Sequence, residues 1–91
     1  MAKRAPRATR QFKKDWRRME ARGQDLTTLR DVMTRLIAGK PLDPHRRPHP
    51  LKGEYDDCME CHVGGDWLLI WRETEDEIVF MRTGTHQDLF G

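Results

Sequence analysis

The stretch Trp67-Leu68-Leu69-Ile70-Trp71-Arg72 decides the fold of this chain, because it is apolar at five consecutive positions. Successive side chains of a β-strand point to opposite faces of a sheet, so this stretch is apolar on both faces. A strand of that kind is typical of the centre of a sheet, where neither face meets water. We therefore expect residues 67–72 to form a central strand.

Two further stretches have the composition of strands. Residues 77–82 (Glu-Ile-Val-Phe-Met-Arg) follow a short polar turn at residues 73–76, so they are predicted to pair back on the central strand. Residues 54–63 are more polar and are expected to form a strand with one exposed face. The three strands then make an antiparallel meander.

A first helix is predicted to begin after Thr9 and to end near Arg22. The Thr9 hydroxyl can cap the first turn, and Gly23 suits the position after the last turn. The apolar residues of this segment recur at helical spacing: Phe12, Trp16 and Met19. This spacing favours a helix that packs the three side chains into the core.

A second helix is predicted to begin after Asp25 and to end before Gly39 and Pro41. Its apolar residues share one face: Leu26, Leu29, Met33, Leu36 and Ile37. The short link between the helices predicts an antiparallel helical hairpin, packed on a small, mostly antiparallel twisted sheet. Helices first and strands afterwards predict an α+β fold. Residues 1–8 are basic and contain Pro6, which suits an edge strand or a loose arm.

Residues 40–53 contain four prolines, at positions 41, 44, 48 and 50. This density predicts a stiff loop without regular structure. The loop also carries two histidines and two arginines: His45, Arg46, Arg47 and His49. A stiff loop can present such side chains to a partner at a low entropic cost.

At 91 residues, the chain is expected to form one domain, residues 1–91, with one modest core. Its hydrophobic share of 36% and its charged share of 35% are those of a polar globular domain. No run of about 18 apolar residues indicates a membrane span. The first basic residues lead into no apolar stretch of the kind that marks a secretory signal, so we expect a cytoplasmic protein.

The net charge of +2 conceals a strong asymmetry along the chain. Residues 1–47 hold fourteen Lys and Arg against five Asp and Glu, a net of +9, whereas residues 48–91 hold three against ten, a net of −7. A basic half that lies on one face would follow the phosphate backbone of a nucleic acid, and its binding would depend on salt. The alternative is an ordinary solvated helix surface.

The run Cys58-Met59-Glu60-Cys61-His62 matches the C-x-x-C-H pattern of covalent haem attachment. Haem attachment takes place outside the cytoplasm and needs both sulfurs on one side, whereas a strand turns residues 58 and 61 to opposite faces. A zinc site built from Cys58, Cys61 and His62, with His45 or His49, needs a knuckle in place of the strand. We therefore expect two reduced, partly buried cysteines and neither metal nor cofactor.

The segment Arg82-Thr83-Gly84-Thr85-His86-Gln87-Asp88-Leu89-Phe90-Gly91 concentrates an arginine, a histidine and an aromatic ring. His49, His62 and Asp66 lie within forty residues of it. Two or more histidines, a carboxylate and an arginine can cleave an RNA phosphodiester without a metal. One histidine takes the proton of the 2′-OH, another protonates the leaving oxygen, and the arginine stabilises the phosphoryl charge.

Three strings of the sequence stand out together: His49-Pro50-Leu51-Lys52-Gly53, then His62-Val63 with Asp66-Trp67, and Arg82-Thr83-Gly84-Thr85-His86 with Leu89-Phe90-Gly91. They resemble the YafQ branch of the RelE-like toxins, which are the mRNA-cleaving halves of bacterial type II toxin–antitoxin pairs. The resemblance implies a RelE-like microbial RNase fold. It also implies a ribosome-dependent endoribonuclease that cuts mRNA in the decoding site without a metal cofactor.

The resemblance maps a catalytic site onto six positions: His49, His62, Asp66, Arg82, His86 and Phe90. It further implies a folded antitoxin as the partner, with operator DNA bound only through the antitoxin complex. Members of the family favour an adenine-rich codon of the lysine type. The positions expected to bind messenger or ribosomal RNA are Trp67, Arg46, Arg47, Lys52, Arg17, Arg18 and Arg22.

The roles of the site residues can be argued from their chemistry. An imidazole titrates near neutral pH, so His86, which follows the flexible Gly84, is expected to be the main proton-transfer group. Asp66 is either a second base or the partner that fixes an imidazole tautomer, and Arg82 stabilises the dianionic phosphorane. His49 completes the proton relay or grips a phosphate. The rings expected to stack on a base are Phe90 and Trp67.

Two other classes of function remain open. A non-catalytic RNA- or ribosome-binding module would use the basic helices alone, and its binding would survive His86→Ala. A DNA-binding regulator is the second, although neither predicted helix has the character of a recognition helix. Individual residues also have purely structural interpretations: Trp67 in the core, Phe90 docking the last residues on the sheet, and Arg82 paired with Asp66 or Glu73 across strands.

Overall fold

A five-stranded sheet organises the protein, as seen in a computed structural model that describes residues 4–91. Its strands are β1 (Ala5–Ala8), β2 (His49–Pro50), β3 (Met59–Gly64), β4 (Trp67–Glu73) and β5 (Glu77–Thr85). They lie in the order β1-β5-β4-β3-β2, which puts β4 at the centre. The prediction of a central strand at residues 67–72 is confirmed.

Most of the strand pairs are antiparallel, as predicted. β5, β4, β3 and β2 form an antiparallel series, whereas β1 runs parallel to β5. β1 lies at the edge, where Pro6 is tolerated, so the predicted edge strand is confirmed; residues 1–3 of that segment lie outside the described residues. β5 begins at Glu77 as expected and continues to Thr85, beyond the predicted end at residue 82.

Two helices, α1 (Arg10–Ala21) and α2 (Leu26–Ile37), begin at the predicted caps. The Thr9 hydroxyl accepts a hydrogen bond from the Phe12 amide at 3.0 Å, and the Asp25 carboxylate accepts one from the Thr27 amide at 2.9 Å. Their buried residues pack together on one face of the sheet: Phe12, Met19, Leu29, Val32 and Leu36. No helix within residues 4–91 has the length and apolar character needed to cross a membrane.

The other face of the sheet carries a smaller apolar cluster. Its buried members are Cys58, Leu68, Ile70 and Leu89, with Leu51, Tyr55 and Met81 packed against them. The cluster is covered by residues 51–58 and by a short C-terminal helix, α3 (His86–Phe90). Both faces of β4 are thus covered from Trp67 to Trp71, where all five side chains are apolar and buried.

Residues 40–63 differ from the prediction in two places. The proline-rich loop contains a 3₁₀ turn at Pro44–Arg46, and His49–Pro50 forms β2 against β3, where an edge position tolerates proline. The strand predicted over residues 54–63 begins only at Met59. A 3₁₀ turn at Gly53–Tyr55 precedes it, closed by the Asp56 amide on the Gly53 carbonyl at 3.1 Å, and the Cys58 amide donates to the Tyr55 carbonyl at 2.9 Å in the turn that follows.

Candidate active site

The register of the strands brings polar side chains together on the sheet face that faces away from α1 and α2. His62 lies opposite Leu68, and Glu60 lies opposite Ile70. Residues directly opposite each other in an antiparallel pair point to the same face, so His62 and Glu60 share the face of the smaller apolar cluster. Arg82 lies opposite Ile70 on the other side of β4 and joins them.

α3 positions His86 and Phe90 beside this face. Thr85 caps the helix, because its hydroxyl accepts a hydrogen bond from the Asp88 amide at 3.2 Å while the Asp88 carboxylate accepts one from the Thr85 amide at 2.9 Å. Leu89 is buried in the smaller cluster. His86 is therefore the first residue of a capped helix, which the sequence analysis did not predict.

Gly84 allows α3 to pack this closely on β5. Its φ is +154°, and a Cβ at this position would lie 2.9 Å from the Cβ of Asp88 and 3.1 Å from Nη2 of Arg18. Any side chain at residue 84 would push α3 and its histidine away from the sheet. Gly84 is thus required for close packing, whereas the sequence indicated only its flexibility.

His86 and Asp66 form a hydrogen-bonded pair at the exposed end of the sheet. Nδ1 of His86 contacts Oδ1 of Asp66, and the His86 amide donates to the same oxygen at 3.4 Å. The hydrogen bond from His86 lowers the pKa of Asp66 below its usual range. Both side chains are 57% exposed. With Nδ1 directed at a carboxylate, Nε2 is left for a substrate, which is the arrangement expected of an oriented proton-transfer group.

Two further rings lie next to His86. The centroids of the His62 and Phe90 rings are each 6.4 Å from that of His86. Tyr55 packs edge-on against Phe90 with centroids 6.3 Å apart. Phe90 is 52% exposed, so its ring is available to a partner. Four of the predicted residues, His62, Asp66, His86 and Phe90, therefore come together.

Arg82 borders this cluster but is held from behind by Asp15 of α1. Nε of Arg82 donates to Oδ2 of Asp15 at 2.7 Å, and Nη2 donates to Oδ1 at 3.2 Å. These bonds raise the pKa of Arg82 above its usual range. Nη1 lies 3.5 Å from the Tyr55 hydroxyl, on the side of the aromatic rings. The structural interpretation that paired Arg82 with Asp66 or Glu73 across strands is thus wrong, because its carboxylate partner is Asp15.

His49 lies on the same face, one strand further out. Its Nε2 is 3.1 Å from Oε1 of Glu60, its cross-strand neighbour, and its Nδ1 is 2.7 Å from the Arg47 carbonyl. Glu60 is only 5% exposed, and its second oxygen, Oε2, has no hydrogen-bond partner among the described residues. His49 therefore reaches the site through Glu60 rather than by contact with His86.

Trp67 does not offer a ring to a base, contrary to one prediction. It is 6% exposed and belongs to the core beneath α1 and α2. Its indole Nε1 donates to the Thr83 hydroxyl at 2.8 Å. The buried indole ties β4 to β5, so the structural interpretation of Trp67 is the correct one.

Two of the arginines predicted to bind RNA form ion pairs with acidic side chains of the protein. Arg22 donates to both oxygens of Asp88, at 2.7 and 2.9 Å, and lowers the pKa of that carboxyl far below its usual range. Arg18 donates to Asp15 at 2.9 Å. Each of the two arginines thus has an acidic partner that the sequence did not reveal, and their part in RNA binding stays a prediction.

The other predicted RNA-binding positions fall into two groups. Arg46 is half-buried and donates to the Val63 carbonyl at 2.8 Å, which fastens the proline-rich loop to β3. Three are exposed to solvent: Arg17, Arg47 and Lys52. Their part in RNA binding stays a prediction.

The two cysteines lie on opposite faces of the sheet. Cys58 belongs to the smaller cluster and Cys61 to the core beneath the helices. Burial raises the pKa of Cys58 to about 11 and that of Cys61 to about 12, so both are thiols at neutral pH. The sequence analysis predicted this placement on opposite faces, which does not suit covalent haem attachment or a shared zinc site. Within residues 4–91, no three His, Cys, Asp or Glu side chains are placed to hold a metal ion together.

Three polar residues of this region escaped the sequence analysis: Asp15, Tyr55 and Glu60. Asp15 had a detectable signal, because it lies on the same helical face as Phe12 and Met19, and a carboxylate on an apolar face requires a buried partner. Glu60 also had one, since it alternates with His62 along β3. Tyr55 lies in a 3₁₀ turn and had none.

Comparison with known proteins identifies the class to which this fold and site belong. Residues 4–91 match a family of bacterial toxins of type II toxin–antitoxin systems. That family is YafQ, and the chain belongs to it. The match covers all three α-helices and the whole sheet.

Individual relatives agree with this assignment. The mRNA interferase toxin YafQ of Escherichia coli (strain K12) is 39% identical over 82 residues, which is 89% of each chain. The toxin in the crystal structure of the E. coli DinJ–YafQ toxin–antitoxin complex superposes with a TM-score of 0.92 at 36% identity, over 99% of this chain and 100% of that one. A metal-bound toxin from Helicobacter pylori superposes with a TM-score of 0.86 at 34% identity, over 94% and 98%.

Proposed function

We propose that this toxin is a ribosome-dependent endoribonuclease that cleaves mRNA in the decoding site and so inhibits translation. One observation carries the proposal: an exposed His86, oriented by Asp66, faces a second histidine and an exposed ring. The name of the E. coli relative, an mRNA interferase toxin, supports the same activity. The chain then acts in the cytoplasm, where ribosomes translate.

The proposed chemistry is attack by the RNA 2′-OH on the adjacent phosphorus. One imidazole of the His62–His86 pair takes the 2′-OH proton, the O2′–P bond forms, the P–O5′ bond breaks, and the other imidazole protonates O5′. The product is a 2′,3′-cyclic phosphate. Asp66 holds the His86 ring by Nδ1, and Nη1 of Arg82 is the guanidinium edge nearest the site for the phosphorane charge.

Phe90 and His49 have supporting roles in this proposal. The exposed Phe90 ring, next to His86, can stack on a base that is splayed out of the mRNA. His49, paired with the buried Glu60, either relays a proton or grips a phosphate at the outer strand. Arg17, Arg47 and Lys52 supply exposed positive charge to messenger or ribosomal RNA.

We further propose that the reaction uses no metal cofactor, because proton transfer and charge stabilisation both have candidate side chains. The metal-bound H. pylori relative makes this a point to test. A chelator that removes transition metals but spares the Mg²⁺ of the ribosome should leave the cleavage rate unchanged. Loss of cleavage, restored by one added metal, would contradict this part of the proposal.

The partner of the toxin is proposed to be a folded antitoxin encoded beside it, by analogy with the E. coli DinJ–YafQ complex. An antitoxin that covers the end of the sheet would block His86 and Asp66, which are exposed in the free chain. Operator DNA would be bound by the antitoxin within that complex. Co-expression with the adjacent gene product should suppress cleavage.

The central experiment is primer-extension mapping of an mRNA on programmed ribosomes. The wild-type chain should produce cuts in phase with codons, and His86→Ala should abolish them. Gln87→Ala is the matched control, because Gln87 is an exposed neighbour on the same helix. Cuts that persist in His86→Ala would move the chemistry to His49, His62 or Asp66. Ribosome binding without cuts by the wild type would favour the non-catalytic binding module.

A further inference from the structure

A second concave feature adjoins the candidate active site at the proline-rich loop. It is a cavity of about 450 Å³, with the loop on one side and the end of β3 on the other. The residues that matter for its chemistry are His45, Arg46, Arg47, His62, Gly64 and Gly65. His62 belongs both to this wall and to the cluster around His86. The cavity and the active site therefore share His62.

The wall formed by the loop is held in place by several contacts. Arg46 donates to the Val63 carbonyl at 2.8 Å, and the Asp43 carboxylate accepts from the His45 amide at 2.9 Å. Arg47 adopts a left-handed conformation with φ of +47°, which is uncommon for a residue with a side chain. Nδ1 of His49 lies 2.7 Å from the carbonyl oxygen of Arg47 and helps to hold this backbone in place. A strained residue held in this way is typical of a binding site.

The charge and shape of the cavity suit an anion. It is lined by two guanidiniums and two imidazoles against one carboxylate, that of Asp43, which lies 3.3 Å from Nδ1 of His45. Arg47 is exposed and His45 is 75% exposed at its side chain. Opposite them, a Cβ at Gly64 or Gly65 would meet no atom within 4 Å, so a ligand backbone can approach closely. The volume falls in the range of small-ligand sites.

We propose that this cavity binds the phosphate and ribose of a substrate nucleotide adjacent to the scissile bond, with Arg47 as the main phosphate contact and His45 in support. The proposal rests on the endoribonuclease function, since His62 would contact the scissile group while its other side borders the neighbouring nucleotide. A site for that nucleotide would hold the RNA strand in register with His86. The arginine provides the planar donor geometry that suits a phosphate.

Two substitutions test the cavity without disturbing the fold. Arg47→Gly removes the guanidinium and also relieves the left-handed backbone, so the variant should fold at least as well as the wild type. Gly64→Val places a branched side chain at the cavity wall, at a residue whose φ is outside the left-handed region and whose Cβ would meet open space. Arg10→Ala is the matched control, because it removes an exposed guanidinium from α1.

The binding experiment uses a short RNA with a 2′-deoxy substitution at the scissile position, without ribosomes. We expect it to shift the amide NMR signals of Gly64 and Gly65, and we expect Arg47→Gly to weaken its binding about tenfold. Gly64→Val should weaken binding similarly, whereas Arg10→Ala should have no effect. Unshifted Gly64 and Gly65 signals together with shifted His62 and His86 signals would overturn the cavity proposal.

The cleavage assay separates this proposal from the proposed function. Arg47→Gly should raise the KM for programmed ribosomes and leave kcat largely intact, while His86→Ala abolishes the cuts. Codon-phased cuts with an unchanged KM in Arg47→Gly would overturn the cavity proposal and leave the endoribonuclease in place. If Arg47→Gly lowers co-sedimentation with vacant ribosomes as much as with programmed ones, the arginine contacts ribosomal RNA, and the cavity proposal is overturned.

Discussion

Two side-chain pairs of this toxin, Asp15–Arg82 and Asp66–His86, differ in almost every physical respect. The side chain of Asp15 is fully buried, and that of Arg82 is 18% exposed. The Asp15 carboxylate also accepts a hydrogen bond from the Thr83 amide at 3.1 Å. Asp66 and His86 are both 57% exposed. The first pair joins α1 to β5, whereas the second projects from the end of the sheet.

The difference in exposure suits one pair to holding a side chain in position and the other to proton transfer. A buried pair with several hydrogen bonds has one geometry and exchanges protons poorly, so it can hold a guanidinium in position. An exposed imidazole beside a carboxylate can gain and lose a proton and can meet a substrate. The predicted catalytic set therefore contains two kinds of residue. Arg82 is prepositioned by the interior, and His86 is presented to solvent.

The largest expected effect comes from breaking the buried pair. Asp15→Ala leaves the Arg82 guanidinium without its main partner in a largely buried place, so it should lower the free energy of unfolding by about 3–5 kcal/mol. Urea denaturation followed by tryptophan fluorescence measures the loss. Asp66→Ala is the matched exposed control and should leave the midpoint unchanged. Equal losses in the two variants would contradict the distinction between the pairs.

The exposed pair should show the opposite pattern. His86→Ala is expected to lower the rate of mRNA cleavage about 10²- to 10⁴-fold, which is the usual contribution of a general acid or base, without changing the denaturation midpoint. Asp66→Asn should lower the rate less, because an amide oxygen can still accept from Nδ1. Single-turnover cleavage on programmed ribosomes provides the rates. A stability loss in His86→Ala would make His86 a structural residue.

A smaller effect is expected where the two regions meet, at Gly84. In Gly84→Ala the new methyl group would lie 2.9 Å from the Cβ of Asp88, so the variant should lose about 1–3 kcal/mol of stability and cleave more slowly as α3 shifts. Gly64→Ala is the control, because its methyl group would meet no atom within 4 Å. Thermal denaturation distinguishes them. Equal stability would show that α3 moves without cost.

The smallest effect concerns pH. The Arg22 hydrogen bonds lower the folded-state pKa of Asp88 below its ordinary value of 3.8. The stabilisation they provide is therefore complete above that ordinary value and is lost as the pH falls through the lowered pKa of the folded state. In Asp88→Asn, the free energy of unfolding should fall less steeply with decreasing pH below 3.8 than it does in the wild type. Near neutral pH, its dependence on pH should be almost the same in the two proteins. An unchanged decrease at acid pH would show that other carboxyl groups cause it.

Local patterns predicted the elements of the fold well. The five apolar positions from Trp67 to Trp71 predicted the central strand, and Thr9 and Asp25 predicted the starts of both helices. The resemblance to the family predicted His62, Asp66, His86 and Phe90, which the fold brings together. It also predicted His49 and Arg82 but not their partners.

What the sequence determined by itself was therefore helices α1 and α2, the strands other than β2, the central position of β4 and the residue types of the site. Caps and periodicity act over a few residues and can be read along the chain. Only the tertiary structure decided that Arg82 pairs with Asp15, that Arg22 pairs with Asp88 and that Trp67 is buried. Arg82 and Asp15 are 67 residues apart, and the choice of such a partner depends on how α1 packs against β5, which no local pattern encodes.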